Sequence, residues 1–225
     1  MSDPRVMVFI DGQNLFKGLK RRFGARLHPL LLARELAGPN RVLVGTHYYS
    51  GIHDRDENVR MHDLVRRRHE LMRRTGVTVT ERTLRYHWEW RVERDELDPP
   101  WYDSAPDRAT ARVEKHRGAR EKGIDVALAL DAVASILTGA ADVVIVVSRD
   151  RDLMEIAAEV DQRCAGKPVG VEVAFVSERR GDERALSGYD RFHEIDDDIV
   201  EAARDDFDYG RDLDEHEVRR FLDAL

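Results

Sequence analysis

Two uninterrupted apolar runs stand out in the pattern of hydrophobic and polar positions along the chain. They span residues 6–10 and 143–147 and consist mainly of β-branched residues. A strand with one face in water alternates apolar and polar residues, so runs of this kind indicate strands that are buried on both faces. Such strands are typical of parallel sheets that are covered by helices on both sides.

Helical and strand patterns alternate through most of the remaining chain. Apolar spacing predicts helices over residues 14–22, 29–36, 56–75, 125–137 and 152–163, and further strands over 41–49, 77–82 and 169–176. Alternating strands and helices with short connections form parallel sheets with right-handed crossovers. The pattern therefore predicts an α/β fold with a mostly parallel central sheet.

Acidic residues follow the buried strands. Asp11 comes directly after the first run, Asp150 and Asp152 come shortly after the second, and Asp125 opens the apolar helix between them. Ligands of parallel sheets bind at the carboxyl ends of the strands, so these carboxylates are expected to meet there. Gathered carboxylates repel one another and lose hydration, and a hard cation such as Mg²⁺ is their usual partner. The alternative is that Asp125 and Asp152 cap the helices that begin beside them.

Residues 84–121 interrupt the alternation and are interpreted as an irregular insertion. Bulky and polar residues alternate over 84–92, as in a half-exposed strand or hairpin arm, and a turn with Trp101 and a basic stretch follow. Aromatic residues interleaved with arginine can stack unpaired bases, so Trp88 and Trp90 are candidate substrate contacts. A hairpin that covers a core edge or forms a dimer contact is an equally good interpretation.

Charge is distributed unevenly along the chain. Residues 190–225 contain fourteen acidic residues and five arginines, a net charge of −9, and since the whole chain carries −7, residues 1–189 carry +2. We therefore predict a domain at 1–189 and an acidic C-terminal extension with one or two short helices. Two roles are open for the extension: restraint of nucleic-acid binding, or docking of a terminal helix through Val218 and Phe221. An arginine-rich helix at 60–74 is a candidate nucleic-acid surface, although such helices are more often simply solvated.

Composition removes several classes of protein. The single cysteine, Cys164, rules out an internal disulfide and a zinc site with several cysteines. The first residues lack the apolar stretch of a signal peptide, and no apolar run has the ~18 residues of a membrane span, so we expect a cytoplasmic location and no membrane partner. The sequence also lacks the loop of P-loop NTPases and the glycine fingerprint of Rossmann dehydrogenases. Gln13 stands where a phosphatase of the haloacid-dehalogenase type needs a second Asp, which leaves that class a weak alternative.

Three segments together resemble the NYN domain family of PIN-like ribonucleases. They are FIDGQNL at 9–15, KGIDVALALD at 122–131 and VSRDRDL at 147–153, in the family's order and at family-like spacing over roughly residues 5–176. The resemblance implies a three-layer α/β/α sandwich, binding of Mg²⁺ or Mn²⁺, and hydrolysis of RNA phosphodiester bonds. Endonucleolytic cleavage is the favoured mode, although the sequence leaves exonucleolytic cleavage open.

The resemblance also assigns roles to individual residues. It implies that the catalytic and metal-binding carboxylates are Asp11, Asp125, Asp150 and Asp152. Asn14 and Ser148 are expected to support them through hydrogen bonds. Asp131 lies six residues after Asp125, about 120° further round a helix, and is expected to serve as an additional support or as a packing partner.

Arg149 and Arg151 occupy positions where the family usually has small residues. Their guanidinium groups could hold phosphate, or could lower the pKa values of the carboxylates and reduce metal affinity. Lys122 is a further candidate phosphate contact. The alternative function is a catalytically weak RNA-binding or regulatory module with the same fold. In either case the partner is expected to be RNA, single-stranded or in a structured loop, and a homodimer is a further candidate assembly.

Overall fold

A computed structural model of the protein describes residues 3–93, 112–120, 122–177 and 188–225. The strands are β1 (Arg5–Asp11), β2 (Val42–Ile52), β3 (Thr78–Thr83), β4 (Arg85–Glu93), β5 (Arg112–Arg120), β6 (Val143–Val147), β7 (Gly170–Phe175) and β8 (Arg191–Glu194). The helices are α1 (Gly12–Arg22), α2 (Pro29–Ala37), α3 (Val59–Arg74), α4 (Ile124–Leu137), α5 (Glu155–Arg163), α6 (Asp197–Ala202) and α7 (Glu215–Ala224). Each helix and strand that apolar spacing predicts has a counterpart here, with ends that differ by a few residues.

Six strands form one sheet in the order β3-β2-β1-β6-β7-β8, and every neighbouring pair is parallel. β1 lies between β2 and β6, so Phe9 is in register with His47 on one side and with Val146 on the other. The prediction of a mostly parallel central sheet is confirmed.

Side chains of the central strands alternate between two apolar cores. Val8 and Ile10 of β1 belong to a core that includes residues of α1, α2 and α6. Phe9 belongs to a second core, on the other face of the sheet, that includes residues of α4 and α5. Helices therefore cover both faces, which explains the uninterrupted apolar runs and confirms the predicted three-layer α/β/α sandwich.

The insertion differs from the irregular segment that the sequence predicts. β4 and β5 pair along their whole length as a two-stranded antiparallel ribbon, from Arg85 opposite Arg120 to Glu93 opposite Arg112. The strand-like alternation of 84–92 anticipated β4. The charged sequence of β5 has no apolar alternation of its own, and its pairing with β4 makes it a strand. The predicted turn with Trp101 lies outside the described residues.

The sheet extends beyond the predicted domain boundary at residue 189. β8 pairs in parallel with β7, for example at Val173 and Phe192, and forms one edge of the sheet. Its four residues lie in the acidic segment and carry only one strongly apolar side chain, so no strand pattern marks them. None of the helices in the described ranges is long and apolar enough to cross a membrane.

The C-terminal segment packs against α3. Tyr209 and Val218 form a small apolar cluster with Leu71 of α3, and Phe221 packs against it. Three ion pairs join the same surfaces: Arg67 with Asp212 at 2.8 Å, Arg68 with Asp205 at 3.7 Å, and Arg74 with Glu215 at 3.0 Å. Of the two roles open for the acidic extension, docking of a terminal helix is the one that these contacts show.

Candidate active site at the carboxyl edge of the sheet

β1 and β6 are neighbours at the centre of the sheet, and the chain leaves them on opposite faces. α1 follows β1 and packs in one core, whereas α5 follows β6 and packs in the other. Connections that diverge in this way open a crevice at the carboxyl ends of the strands, which is the usual ligand site of open α/β sheets. Asp11, the last residue of β1, and the loop that begins at Ser148 lie at this crevice.

Asp11 is fixed in place by local structure. The strand ends at Asp11 and α1 begins at Gly12, where any side chain would collide with the ring of Tyr48, because a Cβ there would lie 2.5 Å from it. The Asn14 backbone N–H donates to Asp11 Oδ1 (3.0 Å), so the carboxylate caps α1. The Ser148 hydroxyl donates to Oδ2 (3.0 Å). With only 5% of its surface exposed, this carboxylate is held in one orientation at the floor of the crevice.

The loop after β6 is tied to the same structure. Ser148 Oγ accepts from the Asp150 backbone N–H (3.1 Å), and Asn14 Oδ1 accepts from the Arg149 backbone N–H (3.0 Å). Ser148 and Asn14 thus join the ends of β1 and β6, which are the contacts expected of supporting residues.

Asp125 and Asp150 differ in how their carboxylates are used locally. Asp150 Oδ1 accepts from the Asp152 backbone N–H (3.0 Å) and caps the short 3-10 helix Arg151–Met154. Capping beside β6 therefore falls to Asp150 and not to Asp152, the residue for which the sequence suggested it. Asp125 lies in the first turn of α4, whose N-cap position is Gly123 and has no side-chain cap. Asp125 is exposed, and its charge acts on the buried Asp11 carboxyl.

The electrostatics of the crevice are those of crowded carboxylates. Burial raises the pKa of Asp11, and the charges of Asp125 and Asp150 raise it further, against the two hydrogen bonds that lower it. Partial loss of hydration raises the pKa of the exposed Asp125 carboxyl as well, and the charges of Asp150 and Asp152 add to this shift. Asp11, Asp125 and Asp150 are therefore close enough to repel one another, and Asp152 lies close enough to repel Asp125.

Of the two roles open for Arg149 and Arg151, lowering of the carboxylate pKa values is not what Asp11 and Asp125 show. Both pKa values move upward, because burial and carboxylate repulsion dominate. Arg151 begins the 3-10 helix with an exposed side chain, and Arg149 is only half-buried. Solvent screens charges in such positions.

The donor set fits a hard divalent cation that keeps much of its own hydration. Carboxylate oxygens with excess negative charge suit Mg²⁺ or Mn²⁺. Within the described ranges, no three His, Cys, Asp or Glu side chains are grouped closely enough to hold a metal ion by themselves. Mg²⁺ typically takes one or two carboxylates and several waters, so the arrangement suits that mode and not a closed protein cage.

The remaining residues that the sequence singled out lie on α4, just before it, or on the ribbon. Asp131 accepts a hydrogen bond from the buried Tyr49 hydroxyl (2.6 Å), which identifies it as a packing partner between α4 and β2. Lys122 is exposed just before α4. Trp88 and Trp90 are both on β4 of the ribbon.

Tyr189 is a neighbour of the site that no sequence pattern indicated. Burial raises its pKa to about 12, and the negative charge of Asp150 contributes to the shift. The phenol therefore stays protonated beside Asp150. An isolated tyrosine before a short edge strand carries no sequence signal for such a position.

Comparisons with known proteins agree with this architecture. A solved structure of a protein of unknown function from Vibrio parahaemolyticus is similar in fold, with a TM-score of 0.54 and 18% sequence identity over 88% of this chain and 96% of that chain. No curated protein matches the chain significantly. The model of the NYN domain, a PIN-like nuclease family, matches residues 5–196 and so includes β8. Since this match spans most of the sequence, the chain belongs to the NYN domain family.

Proposed function

We propose that this protein is a metal-dependent ribonuclease that hydrolyses RNA phosphodiester bonds in the crevice between β1 and β6. The observation that carries the proposal is the Asp11 carboxylate, which is buried, fixed by two hydrogen bonds and repelled by Asp125 and Asp150. A purely structural cap gains nothing from carboxylate neighbours. A carboxylate that binds a cation benefits from carboxylate neighbours, because together they attract the cation and the cation relieves their repulsion.

The residues would divide the work as follows. Asp11, held by Ser148 and the Asn14 amide, would be the central ligand, and Asp125 and Asp150 would flank it. When bound, a divalent ion supplies activation of a water nucleophile and stabilisation of charge on the phosphoryl oxygens. The hydrogen bonds of Ser148 and Asn14 keep the ends of β1 and β6 at a fixed separation, so the carboxylates need little reorganisation.

Replacing Asp11 by Asn tests the proposal. Cleavage of a labelled RNA in Mg²⁺ or Mn²⁺ should fall by at least about a hundredfold, because metal assistance contributes several kcal/mol. The melting temperature should stay equal or rise, since the substitution removes a buried and repelled charge. Asp142→Asn is the matched control: its carboxylate pairs with Arg5 at the opposite end of β6 and should leave cleavage unchanged.

Two outcomes would contradict the proposal. One is full activity of the Asp11→Asn protein, and the other is cleavage that EDTA does not affect. Tight RNA binding by the wild-type protein without metal-dependent cleavage would instead support the alternative, a binding module with this fold.

A further inference from the structure

The β4–β5 ribbon rises from the same edge of the sheet as the acidic crevice. β3 ends at Thr83, and β4 begins two residues later at Arg85. β5 ends at Arg120, and Asp125 follows five residues further on, a separation of at most about 18 Å between their Cα atoms. The foot of the ribbon is therefore joined directly to the helix that carries one of the candidate metal ligands.

Aromatic and cationic side chains share one face of the ribbon. Alternate residues of a strand point to the same side, and directly opposed residues do so as well. Trp88 is opposite Arg117, and Tyr86 is opposite Ala119. Lys115 Nζ lies 4.9 Å from the centre of the Trp88 ring, and the Arg117 guanidinium lies 5.6 Å from it and 5.4 Å from the Tyr86 ring.

Contacts with the loop after β2 fix the orientation of this face. The Tyr86 hydroxyl is hydrogen-bonded to His53 Nδ1 at 2.6 Å, and Arg117 forms an ion pair with Glu57. Trp88, one step further from the foot, is 58% exposed. The base of the face is thus packed, while a large indole beyond it lies in solvent next to cations.

We propose that this face, formed by Tyr86, Trp88, Lys115 and Arg117, binds unpaired RNA by base stacking and phosphate contact and presents it to the acidic crevice. The inference rests on the proposed function for the identity of the nucleic acid. Charge complementarity favours this occupant: the cations suit phosphates, and the aromatic rings suit bases. Stacking on a side chain requires an exposed base face, which a duplex offers only at its ends, so the substrate class is single-stranded.

Binding can be measured separately from cleavage in the Asp11→Asn background. The probe is a fluorescein-labelled single-stranded RNA of about 12 nucleotides, compared with a blunt duplex and a DNA strand of the same sequence. Trp88→Ala should raise the dissociation constant for single-stranded RNA between about fivefold and about a hundredfold. Trp88→Phe, which keeps an aromatic ring, should restore most of the affinity. Phe192→Ala removes another exposed aromatic side chain, from β8 on the opposite side of the sheet from β3, and should change nothing.

Several outcomes would overturn the inference. They are unchanged RNA affinity of the Trp88→Ala protein, equal affinity of the parent for the duplex, and a preference for the DNA strand. A change in sedimentation with unchanged RNA affinity would assign the face to protein association instead. Trp88→Ala could abolish RNA binding while the wild-type protein, which keeps Asp11, cleaves no RNA. That combination would refute the ribonuclease proposal and still support nucleic-acid binding by the ribbon.

Discussion

Two regions of this molecule are rich in basic residues, and the fold uses those residues differently. In α3, the side chains of Arg67, Arg68 and Arg74 all pair with carboxylates of the C-terminal segment. In the ribbon, Lys115 and Arg117 lie over aromatic rings, and Arg117 reaches one carboxylate at the foot. These three arginines of α3 hold two parts of the chain together, whereas the cations of the ribbon accompany an exposed indole.

The difference shows why a count of basic residues does not locate a nucleic-acid surface. The field of an arginine cluster is cancelled where carboxylates of the same chain lie within ion-pair distance. The −9 segment thus acts as a counter-charge for α3. In the ribbon, the aromatic rings beside Lys115 and Arg117 offer bases a stacking surface next to the cations.

Removal of the residues after Ala203 should have the largest effect, and it tests the structural half of the comparison. The truncation exposes Leu71, removes the buried Val218 and leaves Arg68 without Asp205. Each apolar side chain that is lost or exposed costs about 1.5–3 kcal/mol, and the truncation affects Leu71, Tyr209 and Val218 at once. We expect the free energy of unfolding to fall by at least about 5 kcal/mol, measured by urea denaturation.

A matched variant separates docking from electrostatic restraint. Asp206→Asn with Asp223→Asn removes two exposed acidic charges and keeps the docked contacts. This protein should be as stable as the wild type and should bind RNA with the same affinity at low salt. A marked increase in low-salt affinity would show that the segment also restrains binding.

The parts of the fold that sequence predicted are those whose cause is local. The apolar runs 6–10 and 143–147 can only be buried, and a parallel sheet follows from their alternation with helices. The sequence did not predict β5 and β8, because these strands form by pairing with distant partners and their own side-chain patterns do not mark them. The ion pair of Arg67 with Asp212 was not predicted either, because the two residues are far apart in sequence.

At the candidate site, residue identities were easier to predict than their environment. Asp11, Ser148 and Asn14 follow strands whose ends the pattern marked, and the structure brings them into hydrogen-bond contact. The upward pKa shifts of Asp11 and Asp125 depend on burial, which composition does not report. Whether these residues catalyse hydrolysis stays a prediction.

Acid should loosen the docked side of the molecule through His28. Its ring is fully buried, 5.5 Å from Phe221 of α7, and neither ring nitrogen has a hydrogen-bond partner among the described residues. Burial lowers its pKa from 6.5 to about 4, and Arg68 and Arg34 favour the same direction while Asp205 opposes it. Between pH 6.5 and about pH 4, His28 is therefore protonated in the unfolded chain and neutral in the folded chain. The free energy of unfolding is therefore unaffected by this proton above pH 6.5. It falls by about 3 kcal/mol as the pH drops towards about 4.

His28→Leu should remove this share of the acid sensitivity. It should also leave stability at neutral pH unchanged or higher, because it replaces two unsatisfied buried nitrogens by an apolar group. Urea denaturation at neutral and mildly acidic pH measures both effects. His216→Leu changes an exposed histidine of α7 and should keep the wild-type pH dependence. An equally steep loss of stability in the His28→Leu protein would refute the assignment.

The smallest expected effects come from single cations, and they compare the two regions most directly. Arg67→Ala breaks a pair whose carboxylate is almost fully exposed, so it should cost less than about 1 kcal/mol of stability and leave RNA affinity unchanged. Lys115→Ala should leave stability unchanged and weaken RNA binding a few-fold. It should also make the logarithmic salt dependence shallower by about 0.7, the value for one lost phosphate contact on a single strand. Fluorescence anisotropy at about 50 mM and about 200 mM salt gives both the affinity and the slope. If Arg67→Ala weakened RNA binding more than Lys115→Ala, α3 would be the nucleic-acid surface, and the proposal for the ribbon would be refuted.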